Sequence, residues 1–210
     1  MRTIKLLNLT ILFRTLVPWL SVAFVAGLVW NPAIVSARPI RIEISATVRS
    51  VDDAFNILNG AVAPGDVVTG FYVYDSSAQD SNPLEQVGDY WYDTAASGIR
   101  LKVNGLRFVT DPANVSFLFE LVNNYNNLDN YLLRSYNNLF DVSATGTFLM
   151  NTISWQLDDP TQTALSSTAL PNKAPILSKW QSVFGLDIMS SGDNGFFLIR
   201  SDVTSAVRIR

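Results

Sequence analysis

The chain has 210 residues, 48% of them hydrophobic and 16% charged, a balance that supports one domain with a buried core and excludes global disorder. It contains no cysteine and no histidine, which excludes disulfide scaffolds, thiol nucleophiles, thiolate or imidazole metal sites and every Ser-His-Asp triad. The net charge is −3, and −6 once the three basic residues before Arg38 are set aside; with no basic stripe visible in the sequence, nucleic acid is not an expected partner.

The N-terminus reads as an export segment. Arg2, Lys5 and Arg14 form a basic leader, and residues 16–30 form an apolar run broken only by Pro18, Ser21 and Gly27. Val35-Ser36-Ala37 then places small or aliphatic residues at the −3 and −1 positions of a signal-peptidase site before Arg38. A cleaved signal peptide over 1–37 is the leading expectation. The alternative is an uncleaved anchor, because residues 15–37 carry no charge and are long enough to cross a hydrocarbon core of roughly 30 Å. Both place residues 38–210 outside the cytoplasm, as a secreted, extracellular or periplasmic domain that meets the membrane only through this segment.

Residues 39–50 alternate, with Ile40, Ile42, Ile44, Ala46 and Val48 on one face and Arg41, Glu43, Ser45, Thr47 and Arg49 on the other, which predicts a half-buried strand. Pro64-Gly65-Asp66 ends a turn-rich stretch. The strand predicted at 67–74 is apolar on both faces, with Phe71 and Val73 opposite Tyr72 and Tyr74. After a polar loop over 75–88 comes a short aromatic strand at 89–93, in which Trp91 points away from Tyr90 and Tyr92. Strands at 99–103 and 106–109 flank Asn104-Gly105, a pair suited to a type I′ turn because both central residues need positive φ. Asp111-Pro112 breaks the chain before a strand at 115–122, with Phe117, Phe119 and Leu121 in register. Residues 123–138 are rich in Asn and Tyr and hold a short strand around 131–134. One strand is expected over 147–157, with Leu149, Ile153, Trp155 and Leu157 on one face, followed by a proline-bearing connection over 158–175. Closing strands are expected at 184–189, 196–199 and 203–209.

No stretch after residue 38 sustains a 3.6-residue period. Many short strands between turn signals predict an all-β fold, an antiparallel, jelly-roll-like β-sandwich over 38–210 behind an N-terminal apolar helix.

Several motifs are similar to those of a known family. Residues 48–53 (VRSVDD) and 65–76 (GDVVTGFYVYDS) resemble the TSVDD and GD-V-GSFTYDS opening of an uncharacterised bacterial exported domain. That domain occurs in PEP-CTERM sorting proteins and in cyanobacterial secreted proteins. Gly88-Asp89-Tyr90, the SSTALP stretch at 166–171 and the ILSKW stretch at 176–180 follow in the family's order. Thr168 stands where the family has Asp. With no Val-Pro-Glu-Pro motif and no apolar helix before Arg210, C-terminal sorting is not expected. The resemblance implies an exported β-sandwich of the cell envelope, linked to surface or extracellular polysaccharide; it implies no activity and no site residues.

Candidate sites are few. Asp75 and Asp80 place two carboxylates in one loop with Ser76 and Ser77, a set calcium could use; the competing reading, and the stronger one, is that Asp and Ser there make turns with their own backbone. Tyr72, Tyr74 and Tyr90 are candidates to stack on sugar rings, against the leading reading that they are core. Glu120 sits mid-strand beside Leu118 and Val122, where apolar neighbours would raise its pKa as a general acid requires, but no second carboxylate is nominated. The expectation is therefore a non-catalytic binding or structural domain for polysaccharide, with no catalytic residue and no cofactor beyond that weak calcium case. The alternatives are a carboxylate-dependent glycosidase or lyase and a membrane-anchored protein-interaction module.

Overall fold

The computed structural model describes residues 39–142, 146–181, 185–192 and 195–209. The segment read as a signal peptide or apolar anchor helix lies outside the described residues, and among those described no helix is long and apolar enough to cross a membrane. The strands are β1 (Pro39–Asp52), β2 (Val67–Asp75), β3 (Val87–Tyr92), β4 (Gly98–Val103), β5 (Leu106–Thr110) and β6 (Phe117–Tyr125). They continue as β7 (Leu128–Ser135), β8 (Asn138–Val142), β9 (Gly146–Met150), β10 (Thr152–Asp159), β11 (Leu186–Gly192) and β12 (Gly195–Ile209). A 3₁₀ turn, Leu177–Lys179, lies in the connection before β11.

The all-β, antiparallel architecture expected from the alternation is present. All twelve strands bond in one sheet, ordered β3-β6-β7-β10-β11-β12-β1-β2-β4-β5-β8-β9. A jelly-roll-like sandwich implies two separately bonded sheets; here the ladder runs unbroken from β3 to β9, and the sheet curls. Four strands separate β7 from β2 in the order, yet the hydroxyls of Tyr72 and Tyr131 meet at 2.6 Å. The β1–β12 ladder carries register irregularities at Ser45/Ala46 and Val48/Ser50, and such bulges bend and over-twist a strand.

The concave side is lined by the predicted inward residues. Ile40, Ile42, Ile44, Ala46 and Val48 of β1 are buried, as are Phe117, Phe119 and Leu121 of β6 and Trp155 of β10. Aromatic rings join the halves: Tyr74 meets Phe119 edge-on with centroids 4.9 Å apart, and Tyr131 meets Trp155 at 5.7 Å. Phe108 stacks on Phe140 at 4.8 Å. Rings in these offset and edge-to-face poses add about 0.5–1.5 kcal/mol per pair beyond their burial.

Two predicted boundaries are corrected. The single strand expected over 147–157 is two, because the chain turns at exposed Asn151, whose Oδ1 accepts the Ser191 amide at 2.6 Å. β9 then pairs with β8 while β10 pairs with β7 and β11. Conversely, the strands expected at 196–199 and 203–209 are one. The strand continues through residues 200–202: Ser201 is fully buried and Asp202 faces out, its carboxylate 3.5 Å from Arg49.

Candidate functional site

The curl decides which aromatic residues are available. Tyr72 and Tyr74 are fully buried and Tyr90 is 6% exposed, so all three rings lie on the core side. Their hydroxyls are spent internally. Tyr72 bonds Tyr131, Tyr74 donates to the Pro171 carbonyl, and Tyr90 donates to the Thr168 carbonyl at 2.8 Å. Burial raises the pKa of each. Tyr74 and Tyr90 thereby hold the long connection after β10 against the sheet.

Parity along β3 puts Trp91 on the opposite, convex face, where it is 50% exposed. Its indole stacks on Tyr136 with centroids 5.8 Å apart and planes 20° from parallel. From Trp91 the register runs across the sheet through Leu118, Arg134, Ser154, Asp187 and Arg200. A groove of about 360 Å³ lies along this row, walled by Arg134, Tyr136, Ser154, Asp187 and Arg200 and floored by Met189 and Leu198. Burial pushes the Asp187 carboxyl up, and Arg200 and then Arg49 pull it back. Tyr136 thus joins an exposed flat aromatic surface to a groove that offers apolar surface together with hydrogen-bonding groups; ring C–H faces can lie against a π-face and hydroxyls against polar side chains. Alternation in the sequence sets Trp91 opposite Tyr90 and Tyr92 without fixing which face is outer, and Trp91 is not among the residues it nominates. Tyr136, its stacking partner, carried no signal, because it lies in a turn beyond β7.

Glu120 also lies on the convex face and does find a second carboxylate. Asp89 is its direct cross-strand partner. Burial first, then the Asp89 charge, raises the Glu120 pKa, with Arg134 opposing. Asp89 Oδ2 accepts the Asn82 amide at 2.8 Å, whereas its Oδ1 is buried with no donor, so a protonated Glu120 is the group suited to serve it. Neither carboxyl lines the groove beside Trp91.

Asp75 and Asp80 are both engaged in turns. Asp75 Oδ1 accepts the Ser77 amide and hydroxyl at 2.8 Å each, and Asp80 Oδ1 accepts the amides of Asn82 and Asp89 at 2.9 Å each. Among the described residues no group of three or more acidic side chains converges to hold a metal ion. At the end of β10, Asp159 closes the strand as its sequence suggests. Its two oxygens accept from the amides of Thr161, Thr163 and Ala164 and from both threonine hydroxyls, and the Thr161 hydroxyl above all holds its pKa down to about 2.

Comparison with protein-family models, with curated proteins and with solved structures gave no match to this chain.

Proposed function

We propose that the protein is an exported, non-catalytic domain that binds a neutral or mixed polysaccharide of the cell surface or extracellular matrix. The observation that carries this reading is the exposed Trp91 stacked on Tyr136, a residue that itself lines the groove shared by Arg134, Ser154, Asp187 and Arg200. The basic-apolar-small order of residues 1–37, with the Ala37-Arg38 junction as cleavage point, supports export. The motif resemblance to exported bacterial envelope domains supports the same compartment. In this reading the two facing halves of the curled sheet serve as the layers of a jelly-roll-like sandwich, and the ligand runs across the strands of one outer face.

The test is a glycan screen on the purified protein, run with calcium and with chelator, followed by Trp91→Ala. Binding should fall at least tenfold, about 1.4 kcal/mol, with an unchanged melting temperature, since the ring is half exposed. A folded protein that binds no glycan, or that binds equally well without the indole, sinks the proposal. Loss of binding in chelator would bring Asp75 and Asp80 back as ligands. N-terminal sequencing of the native protein separates a secreted form beginning at Arg38 from an anchored one that keeps its leader.

One observation favours a second reading, a carboxylate-dependent glycosidase: the Asp89–Glu120 pair. Asp89 and Glu120 face each other within hydrogen-bonding reach, closer than the roughly 5–5.5 Å between the carboxyls of a retaining enzyme or the roughly 6.5–9.5 Å of an inverting one. Hydrolysis of a bound glycan, lost in Glu120→Gln, would establish this reading over the first.

A further inference from the structure

The outer face of the other half of the sheet differs in charge. Arg41 of β1, Arg100 and Lys102 of β4 and Arg107 of β5 come from three strands and share one side. Thr69, Lys102 and Arg107 follow one another across the register, as do Phe71, Arg100 and Val109. A groove of about 530 Å³ runs here, edged by Arg100, Lys102 and Arg107 and floored by Val109, Pro112 and Leu139. The Arg41 guanidinium lies flat over Phe71, 3.5 Å from the ring centroid, and Arg100 lies 5.8 Å from it. Phe71 lines the groove, so its ring holds Arg100 there, and Arg41 beside it, by cation–π attraction. Arg41 also has Glu43 at 3.8 Å, and Arg107 stands opposite Asp141 in the register. Arg100 and Lys102 are exposed and form no ion pair among the described residues. A positive groove on a chain of net charge −3 is a local concentration of field, not a reflection of overall charge.

We propose that this groove is a second site, selective for an acidic polysaccharide whose sugar rings carry carboxylate or sulfate groups. The cations at the edge match spaced anionic groups, and the Val109, Pro112 and Leu139 floor matches the C–H faces of the rings between them. Duplex nucleic acid fits less well. It presents a charge about every 1.7 Å and is held by many simultaneous phosphate contacts, more than the few cations of this groove supply. Base stacking is closed off because Arg41 already covers Phe71. The site uses none of the residues at Trp91. The inward faces of β2 and β10 meet through Tyr72 and Trp155, so the two grooves open on opposite sides.

The experiment measures binding of the purified protein to dextran, dextran sulfate, polygalacturonate and a duplex DNA, at low and high salt, with wild type, the double variant Arg100→Ala/Lys102→Ala, and Trp91→Ala. At least one acidic polymer should bind tenfold or more tightly than dextran, with affinity falling steeply as salt rises. The double variant should lose at least tenfold of that binding at an unchanged melting temperature, and Trp91→Ala should leave it intact. Preference for polygalacturonate or for dextran sulfate identifies the group as carboxylate or sulfate. The proposal is overturned by acidic polymers that bind no better than dextran, by a double variant that binds as wild type, or by DNA that binds as tightly as either acidic polymer. None of these outcomes bears on the Trp91 groove, whose failure is read from the neutral glycans alone.

Discussion

The buried tyrosine pair shows how a polar contact can carry more stability when it is broken than when it is made. Tyr72 and Tyr131 are each within 1% of full burial and share one hydrogen bond at 2.6 Å. Removing one hydroxyl strands the other in the core at a cost of about 1–3 kcal/mol, whereas removing both leaves no orphan. Urea unfolding of Tyr72→Phe, Tyr131→Phe and the double variant should therefore show the double less destabilised than the two singles combined. Two carboxyls set opposite pH limbs. Glu120 has a folded-state pKa above its ordinary 4.5, so the folded state holds the proton longer. Stability falls as pH rises from about 4.5 toward the raised value, and Glu120→Gln should flatten that fall. Asp159 is the reverse case: its contribution is present above the ordinary 3.8 and is lost as pH drops toward about 2. Asp159→Asn should lose stability at neutral pH and blunt the acid limb, both readable from urea midpoints across pH 2–8. The asparagine side chain keeps one acceptor oxygen and turns the other into a donor, so the donors of Thr161 or those of Thr163 and Ala164 lose their partner.

At the scale of elements, legibility followed period and turn chemistry. The β4–β5 hairpin was readable because Asn104 and Gly105 must take positive φ, and they do, at 47° and 88°. The β6–β7 hairpin uses the same geometry with Asn126 and Asn127 at φ 51° and 59°. There the flanking asparagines and tyrosines blurred the alternation, so only the centre of β7 stood out. Period two also set Trp91 opposite Tyr90 and Tyr92, and Glu120 on the face of Leu118 and Val122. It could not reveal Asp89 as the partner of Glu120, Tyr136 as the partner of Trp91, or the union of Arg41, Arg100, Lys102 and Arg107, since each depends on strand register and order. Gly70 is another residue whose role appears only with register. A Cβ there would sit 2.1 Å from the Arg100 carbonyl and 2.9 Å from the Leu101 Cα. The contact is to backbone, so β2 and β4 would have to separate. Gly70→Ala should cost about 3 kcal/mol in chemical denaturation, against the gain of up to about 1 kcal/mol that the same change gives at an unstrained position. It should also weaken acidic-polymer binding, because Arg100 rides on that ladder.

For the molecule as a whole, the controlling feature is where the first and last described strands meet. β12, the last strand, lies at the centre of the sheet order, bonded to β11 on one side and to β1 on the other. It joins the half that carries the Trp91 groove to the half that carries the cationic one. Bringing β1 and β12 together closes a loop of roughly 150 residues, at an entropy cost of about 4–5 kcal/mol by the logarithmic length rule. Until that seam forms, β1 and β11 present unpaired edges, and Ile188 and Ile199 lack the burial they have in the finished sheet. Without disulfides, no covalent cross-link reinforces the join between the halves. Deleting residues 195–210 should therefore abolish cooperative unfolding for the entire domain, not merely fray one end. Far-ultraviolet circular dichroism would show the loss of a sigmoidal melt, and a dye that binds exposed apolar surface would fluoresce before heating. If the shortened chain instead melted cooperatively near the wild-type temperature, one half of the sheet would be stable alone and the seam would be an accessory. Non-local strand pairing of this kind also slows folding, placing it in the millisecond-to-second range of all-β domains. The seam completes only when the last strand is available, so acquisition of native tryptophan fluorescence at Trp155, which sits at the junction of the two halves, should report that step.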